Sequence, residues 1–195
     1  MLLNSLSRIS APLSVNLEVT DKCNLSCSFC FNAAPAYEDL MRRSAAHQVQ
    51  ESKFPNLQMV QDVSPVNMRT ERLLQILDIL AEAVVFQIRL FGGEFTVFKA
   101  WRDVLKYAHN KGFLISFVSN GFLLGDEDVE LLSKCGVTDC TISVHGPPEV
   151  HDRITRVQGS FDRAMRSFKL LESNGITVSI AYTPVVENLG HVYGF

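Results

Sequence analysis

The sequence predicts an α/β fold of parallel strands, a partial (β/α) barrel with about five strands present. Three observations predict it. Strand-like and helix-like segments alternate along most of the chain, an order that forces parallel pairing through right-handed crossovers. The strands carry polar residues in one phase instead of reading as the continuous apolar runs of a fully buried parallel sheet. The residues of unusual chemistry gather where strands end, the side on which parallel α/β folds bind ligands.

The first strand is expected at Ser14–Thr20, where Val15, Leu17 and Val19 alternate with Asn16, Glu18 and Thr20, the period of a half-buried strand. Three cysteines follow, and then residues 31–68, a long insertion without clear period. Arg69–Ala83 carries Leu73, Leu77 and Leu80 at helical spacing. Val84–Phe91 reads as the second strand, and Trp101–Asn110 as a helix closed by Gly112. Phe113–Ser119 is the third strand, Asp126–Lys134 a helix closed by Gly136, and Val137–Val144 the fourth strand. Ser160–Asn174 reads as a helix with Ser160 as N-cap and Gly175 beyond its end. Ile176–Thr183 is the fifth strand.

A doubly wound sheet and a barrel both fit this order. The polar phases, with Asn16, Glu18, Gln87, Arg89, Thr141, Ser143 and Ser179, favour the barrel. A closed and filled barrel lines its inside with branched apolar residues, so a polar lining predicts an incomplete barrel open to a polar ligand and water.

Composition narrows the function. The chain has 195 residues, 47% hydrophobic and 20% charged, enough for a single domain with a real core. A net charge of -3 supplies no global attraction for nucleic acid. No apolar run approaches the roughly 20 residues that span a bilayer, and the N-terminus lacks the apolar core of a signal peptide. The expected compartment is the cytoplasm, where structural disulfides are rare. Five cysteines is an odd number. Metal binding is therefore expected for Cys23, Cys27 and Cys30, and core packing for Cys135 and Cys140.

The stretch Cys23-Asn-Leu-Ser-Cys27-Ser-Phe-Cys30 places three thiols on one short loop. Structural zinc and [4Fe–4S] clusters both generally take four protein ligands, so three leave one position for another donor. For zinc, His145 is a candidate to complete the set. For an iron–sulfur cube, one iron remains for an outside ligand. The turn Gly92-Gly93-Glu94 ends the second strand. Its glycines permit a close backbone approach to a ligand, and the Glu94 carboxylate is expected to face the rim and favour an ammonium group.

These motifs carry a resemblance. CxxxCxxC after the first strand, with Phe29 before the last cysteine, and Gly-Gly-Glu after the second are similar to the radical S-adenosylmethionine (radical SAM) superfamily. Asp21-Lys-Cys-Asn-Leu-Ser-Cys, Ser119-Asn-Gly, Ser143-Val-His-Gly-Pro and His151-Asp-Arg-Ile-Thr-Arg156, followed by Gly159-Ser-Phe-Asp162, resemble the branch of peptide-modifying maturases and anaerobic sulfatase-maturing enzymes. The likeness runs from about Ser14 to Asn188. It implies a (β/α)6 family barrel, a [4Fe–4S] cluster on Cys23, Cys27 and Cys30, and S-adenosylmethionine (SAM) as cofactor. It further implies that Glu94 and the Gly92–Gly93 backbone hold the SAM ammonium. Asn120 and Ser143 are implied for its ribose or carboxylate, Arg156 for the carboxylate, and the backbone near Phe29 for the adenine. Reductive cleavage of SAM would then give a 5′-deoxyadenosyl radical for hydrogen abstraction. The implied partners are a peptide or polar small-molecule substrate and an electron donor such as flavodoxin or ferredoxin, with no nucleic acid and no membrane.

The chain departs from the family pattern in places. Phe95 stands where many relatives have proline, and His145 where many have an acid; His145 is read as contacting SAM or substrate or, the favoured reading, as replacing that acid. With five strands and no cysteine after Cys140, residues 1–195 are expected to be one core domain incomplete at its C-terminus. Residues 31–68 are expected to be a substrate lid or a surface insertion. The rival function is a non-catalytic zinc or structural-cluster module.

Overall fold

Five strands pair in chain order, all parallel: β1 (Ser14–Glu18), β2 (Gln87–Phe91), β3 (Leu114–Ser119), β4 (Val137–Ser143) and β5 (Thr177–Ala181). The computed structural model describes residues 12–30 and 68–192. The expected insertion after the cysteines, apart from Met68, lies outside the described residues. Helices α1 (Thr70–Glu82), α2 (Trp101–Asn110), α3 (Asp126–Lys134) and α5 (Ser160–Ser173) connect successive strands, and a short α4 (Pro148–Thr155) precedes α5. Among the described residues no helix is long and apolar enough to cross a membrane.

The register explains why the strands alternate. Val15, Leu17, Ile88, Leu90, Ile115, Phe117, Cys140 and Ile142 share one face. That face packs on Leu73 and Leu77 of α1, Val104, Leu105 and Ala108 of α2, Val129 and Leu132 of α3, and Ala164 and Leu171 of α5. Each large apolar side chain so buried contributes about 1.5–3 kcal/mol. Cys135 and Cys140 belong to this core, as expected. The opposite face carries Asn16, Arg89, Ser116 and Thr141, the polar lining of a partial barrel. In β4 the apolar residues Val137, Cys140 and Ile142 do not alternate strictly. A register shift after Ile115, which pairs with Val137 while Ser116 pairs with Asp139, returns Cys140 and Ile142 to the core face.

Several expected boundaries move. β2 begins at Gln87, not Val84, because Val84 has φ 60 and is spent with Val85 in closing α1, through hydrogen bonds to Ala81 and Leu80 carbonyls. β1, β3, β4 and β5 are shorter than expected at one or both ends, as strand ends lose partners. Helix α4 has no counterpart in the sequence reading, although Pro148 at its first position is a helix-start signal.

Ser160 is not the N-cap of α5. Gly159 occupies that position with φ 77, and Ser160 is the first helical residue. Asp152 of α4 does the capping from outside the helix. Its Oδ2 accepts from the Gly159 N–H at 2.6 Å, and its Oδ1 from the Phe161 N–H at 2.9 Å and the Ser160 hydroxyl at 2.9 Å. A carboxylate there also meets the positive end of the helix dipole. Burial pushes its pKa up, but the Phe161 and Gly159 amides and the Ser160 hydroxyl outweigh it and hold it below the ordinary value. The ionised form is thus favoured in the fold, and its contribution is lost as pH falls through the lowered pKa. Asp152→Ala is expected to lower stability by about 2 kcal/mol, read as a lower urea midpoint with the slope unchanged. An unaltered midpoint would show that the cap is dispensable.

Candidate functional site

The cysteine loop, residues 21–30, leaves β1 and is held at both flanks by main-chain hydrogen bonds. On one side Gly93 N donates to Thr20 O at 2.6 Å and Glu94 N to Lys22 O at 2.8 Å. On the other, Ser26 N donates to Thr155 O at 3.2 Å and Ser28 N to Ile154 O at 2.9 Å, at the end of α4. A Cβ on Gly92 would overlap the Thr20 carbonyl oxygen, and one on Gly93 those of Asp21 and Lys22. The close approach these glycines permit is therefore to the root of the cysteine loop, where the sequence reading placed a ligand. Gly93→Ala is expected to cost about 1–3 kcal/mol, measurable as a lower thermal midpoint. Tolerance of the extra methyl would mean the two segments are not in rigid contact.

Glu94 is only 1% exposed, so its carboxylate is not displayed on the rim. Its Oε1 accepts from Thr96 N at 3.0 Å, Thr96 Oγ1 at 2.7 Å and Ser119 Oγ at 2.9 Å; its Oε2 accepts from Asn120 N at 2.7 Å. The side chain thus ties the turn after β2 to the end of β3, and Oε2 keeps an acceptor position. Asn120 continues the tie. Its Nδ2 donates to Asn24 Oδ1 at 2.9 Å and lies 3.6 Å from Cys23 Sγ, while its Oδ1 accepts from Phe122 N at 2.9 Å. Three strand ends are joined at the cysteines through these two side chains.

The three thiols lie within electrostatic reach of one another. Burial pushes the Cys27 thiol up to about 11, with the charges of Cys23 and Cys30 adding and that of Arg156 opposing. Cys23 is raised as well, by desolvation first and then by the Glu94 and Cys30 charges, against the Leu25 amide and Asn120. Bare thiolates are disfavoured here, and a positively charged iron–sulfur group would reverse that balance. The donor set, three thiols on one braced loop, fits a [4Fe–4S] cluster. It does not fit the zinc set completed by His145. His145 is committed elsewhere, its Nδ1 already accepting a main-chain hydrogen bond.

That commitment is to the loop after β5. His145 is 3% exposed; its Nδ1 accepts from Thr183 N at 3.3 Å, and its carbonyl accepts from Asn188 Nδ2 at 3.0 Å. Phe29 meets its ring edge-on at 4.8 Å, and His151 stacks at 5.7 Å and accepts from the His145 N–H at 3.1 Å. Arg156 follows α4 in the left-handed region, φ 60, a costly conformation for a non-glycine residue, and its charge reaches Cys27. Ser143 ends β4 on the polar face, half-buried, opposite Ala181. The structure thus gathers Glu94, Asn120, Phe29 and Arg156 about the cysteine loop, whereas Ser143 makes no side-chain hydrogen bond among the described residues. Sequence reasoning missed Asn24, Thr96, His151 and Asp152 as organisers. Asn24, inside the cysteine motif, and His151 and Asp152, inside the stretch His151–Arg156, carried a signal, whereas Thr96 carried none.

Burial, then the His151 charge, lowers the His145 pKa from 6.5 to about 4. His151 is lowered by burial against the opposing Asp152 charge. Both rings are neutral in the fold. The unfolded chain binds more protons below the ordinary histidine value, so stability is full above about 6.5 and falls as pH drops toward 4. His145 alone is expected to impose a slope of up to about 1.4 kcal/mol per pH unit, seen in urea unfolding across that window and flattened in His145→Gln.

Comparison with known proteins places this geometry among relatives. A model of the Radical SAM superfamily matches residues 17–191. The sporulation killing factor maturation protein SkfB of Bacillus subtilis is 29% identical over 173 residues, 88% of this chain and 36% of SkfB. The mycofactocin maturase MftC of Mycolicibacterium smegmatis is 26% identical over 170 residues, 87% of this chain and 36% of MftC. The chain thus spans well under half the length of these curated relatives. Among solved structures, Streptococcus suis SuiB bound to S-adenosylmethionine superposes with a TM-score of 0.67 at 18% identity, covering 96% of this chain and 38% of SuiB. The anSMEcpe structure with bound AdoMet gives 0.61 at 18% identity, covering 87% of this chain and 43% of its own. At these identities the structural likenesses bear on the fold alone.

Proposed function

Because the chain belongs to the radical SAM superfamily, we propose that Cys23, Cys27 and Cys30 hold a [4Fe–4S] cluster and that the adjoining strand rim binds SAM. A [4Fe–4S] cluster held by these cysteines would, when reduced, supply the one electron for cleaving a sulfonium C–S bond of SAM bound at the rim, the source of a 5′-deoxyadenosyl radical for hydrogen abstraction from the substrate. The observation that carries this reading is the bridge from Cys23 through Asn120 to Glu94, which brings thiols and carboxylate to one place from three separate strand ends.

The roles of the chain's own residues follow. Glu94, fixed by four donors, keeps one position on Oε2 and the Gly92–Gly93 main chain nearby for the SAM ammonium. Arg156 offers a guanidinium fork to the methionyl carboxylate, and its exposed position beside Cys27 supports that role. Ser143 serves the ribose or carboxylate. Asn120 has its Nδ2 engaged, so only Oδ1 remains for the ribose; its larger part is to orient Cys23 and Asn24. Phe29, buttressed by His145, presents its main chain to the adenine.

The substrate we propose is a peptide. SkfB and MftC are named for maturation, and one SuiB structure holds a precursor peptide, SuiA. A flavodoxin or ferredoxin would supply the electron, in the cytoplasm.

Anaerobic reconstitution of the full chain tests the assignment. It is expected to take up about four irons and four sulfides, show sulfide-to-iron charge-transfer absorption, and release 5′-deoxyadenosine from SAM under strong reductant. Cys27→Ala is expected to abolish the release. Stoichiometric zinc without SAM cleavage, or release that survives in Cys27→Ala, overturns it.

A further inference from the structure

Arg89 lies in the middle of β2 on the polar face, with uncharged cross-strand neighbours, Asn16 of β1 and Ser116 of β3. Its Nη2 donates to Thr141 Oγ1 of β4 at 2.5 Å, while its Nε is buried without a hydrogen-bond partner. Among the described residues no carboxylate lies within ion-pair distance of it; Asp139 and Glu18 occupy the same face but do not reach it. A guanidinium has five donors, and among the described residues one of them serves the protein. Burying a donor unpaired is costly, more so where the group is charged, and packing on the core does not require a cation on this face. The arrangement is that of a receptor whose complement comes from outside the chain.

We infer that Arg89 is the binding site for a carboxylate of the substrate within the barrel. The planar fork suits two parallel hydrogen bonds to a carboxylate, and Thr141 holds the guanidinium level with the sheet. Arg89 stands three residues before Gly92, and at about 3.3 Å per residue it sits about 10 Å below the rim proposed for SAM. That depth separates it from Arg156, which faces the rim. It selects a substrate with an acidic side chain or a free C-terminal carboxylate over a neutral one. Naming this anion as substrate rests on the radical SAM reading; the anion site itself does not.

Acetate is the probe, followed by NMR on the full chain with and without anaerobic reconstitution. The buried Nε–H of Arg89 gives a slowly exchanging resonance, assigned by its loss in Arg89→Lys. Acetate is expected to shift it saturably, and acetamide or chloride at equal concentration not to. The amides of Ser116 and Thr141 report the same titration in Arg89→Gln, where affinity is expected to fall about tenfold or more. A non-saturating shift, an equal response to chloride, or a response that persists in Arg89→Gln overturns the site. If SAM on the reconstituted protein abolishes the acetate response, the carboxylate belongs to the nucleotide and the substrate assignment falls. Failure of iron uptake leaves the titration of the unreconstituted chain readable, so the two readings fail separately.

Discussion

The seam between Thr20–Lys22 and Gly92–Glu94 is the constraint on which the site depends. Two main-chain hydrogen bonds close it, and side chains at positions 92 and 93 would prise it open. β1 and β2 are already paired in parallel register up to Glu18 and Phe91. The seam carries that pairing past the strand ends into the loop, so the cysteines inherit the rigidity of the sheet. A loop of ten residues tethered at one end would lose that order to chain entropy. The second tether, from Ser26 and Ser28 to the end of α4, makes the loop a bridge between two fixed elements.

Glu94 and Asn120 extend the same logic to side chains. A buried carboxylate is tolerated because main-chain amides and hydroxyls surround it, and each of those donors sits on a segment that must be correctly placed. The buried charge thereby acts as an alignment device between the end of β2 and the end of β3. Asn120 transmits the alignment to Cys23 and Asn24. On the far flank Asp152 does comparable work by capping α5 from α4, which fixes the helix whose last turn grips the cysteine loop. His151, one residue earlier, stacks on His145 and connects this flank to β4 and the loop after β5. Polar and aromatic contacts thus brace the rim from both sides, while the apolar face of the sheet supplies the bulk of the stability.

The two faces of the sheet divide the labour. One is saturated with leucine, isoleucine and phenylalanine against four helices. The other keeps Arg89, Ser116 and Thr141 in a lattice with unused hydrogen-bonding capacity. Unsatisfied buried polar atoms are rare; among the described residues one, Arg89 Nε, lies on the face that lines the barrel, while Asn24 Nδ2 and His151 Nε2 lie in the cysteine loop and in α4.

Much of this was legible in the chain itself. Alternation in Ser14–Thr20 and the leucine spacing of 73 and 77 encode local periods that only one secondary structure can bury, so the succession of strands and helices and the α/β class are legible in the sequence, while the pairing order of the strands belongs to the fold. The cysteine trio and Gly-Gly-Glu were visible because their spacing is local. Tertiary structure alone decided how those parts engage. Gly92 and Gly93 suggest room for a ligand, but the side where a Cβ would stand is taken by a neighbouring strand end whose position no local pattern encodes, and only their main chain is left for one. Glu94 was read as displayed and is buried, because its donors Ser119 and Asn120 lie a whole strand–helix unit away. Ser160 was read as a cap, and Asp152 supplanted it through a fold-back between helices. Sequence states which residues have chemistry to offer; only the packed chain determines whether that chemistry is spent internally or left for a ligand, because hydrogen bonds between distant segments form only after the sheet has brought them within reach.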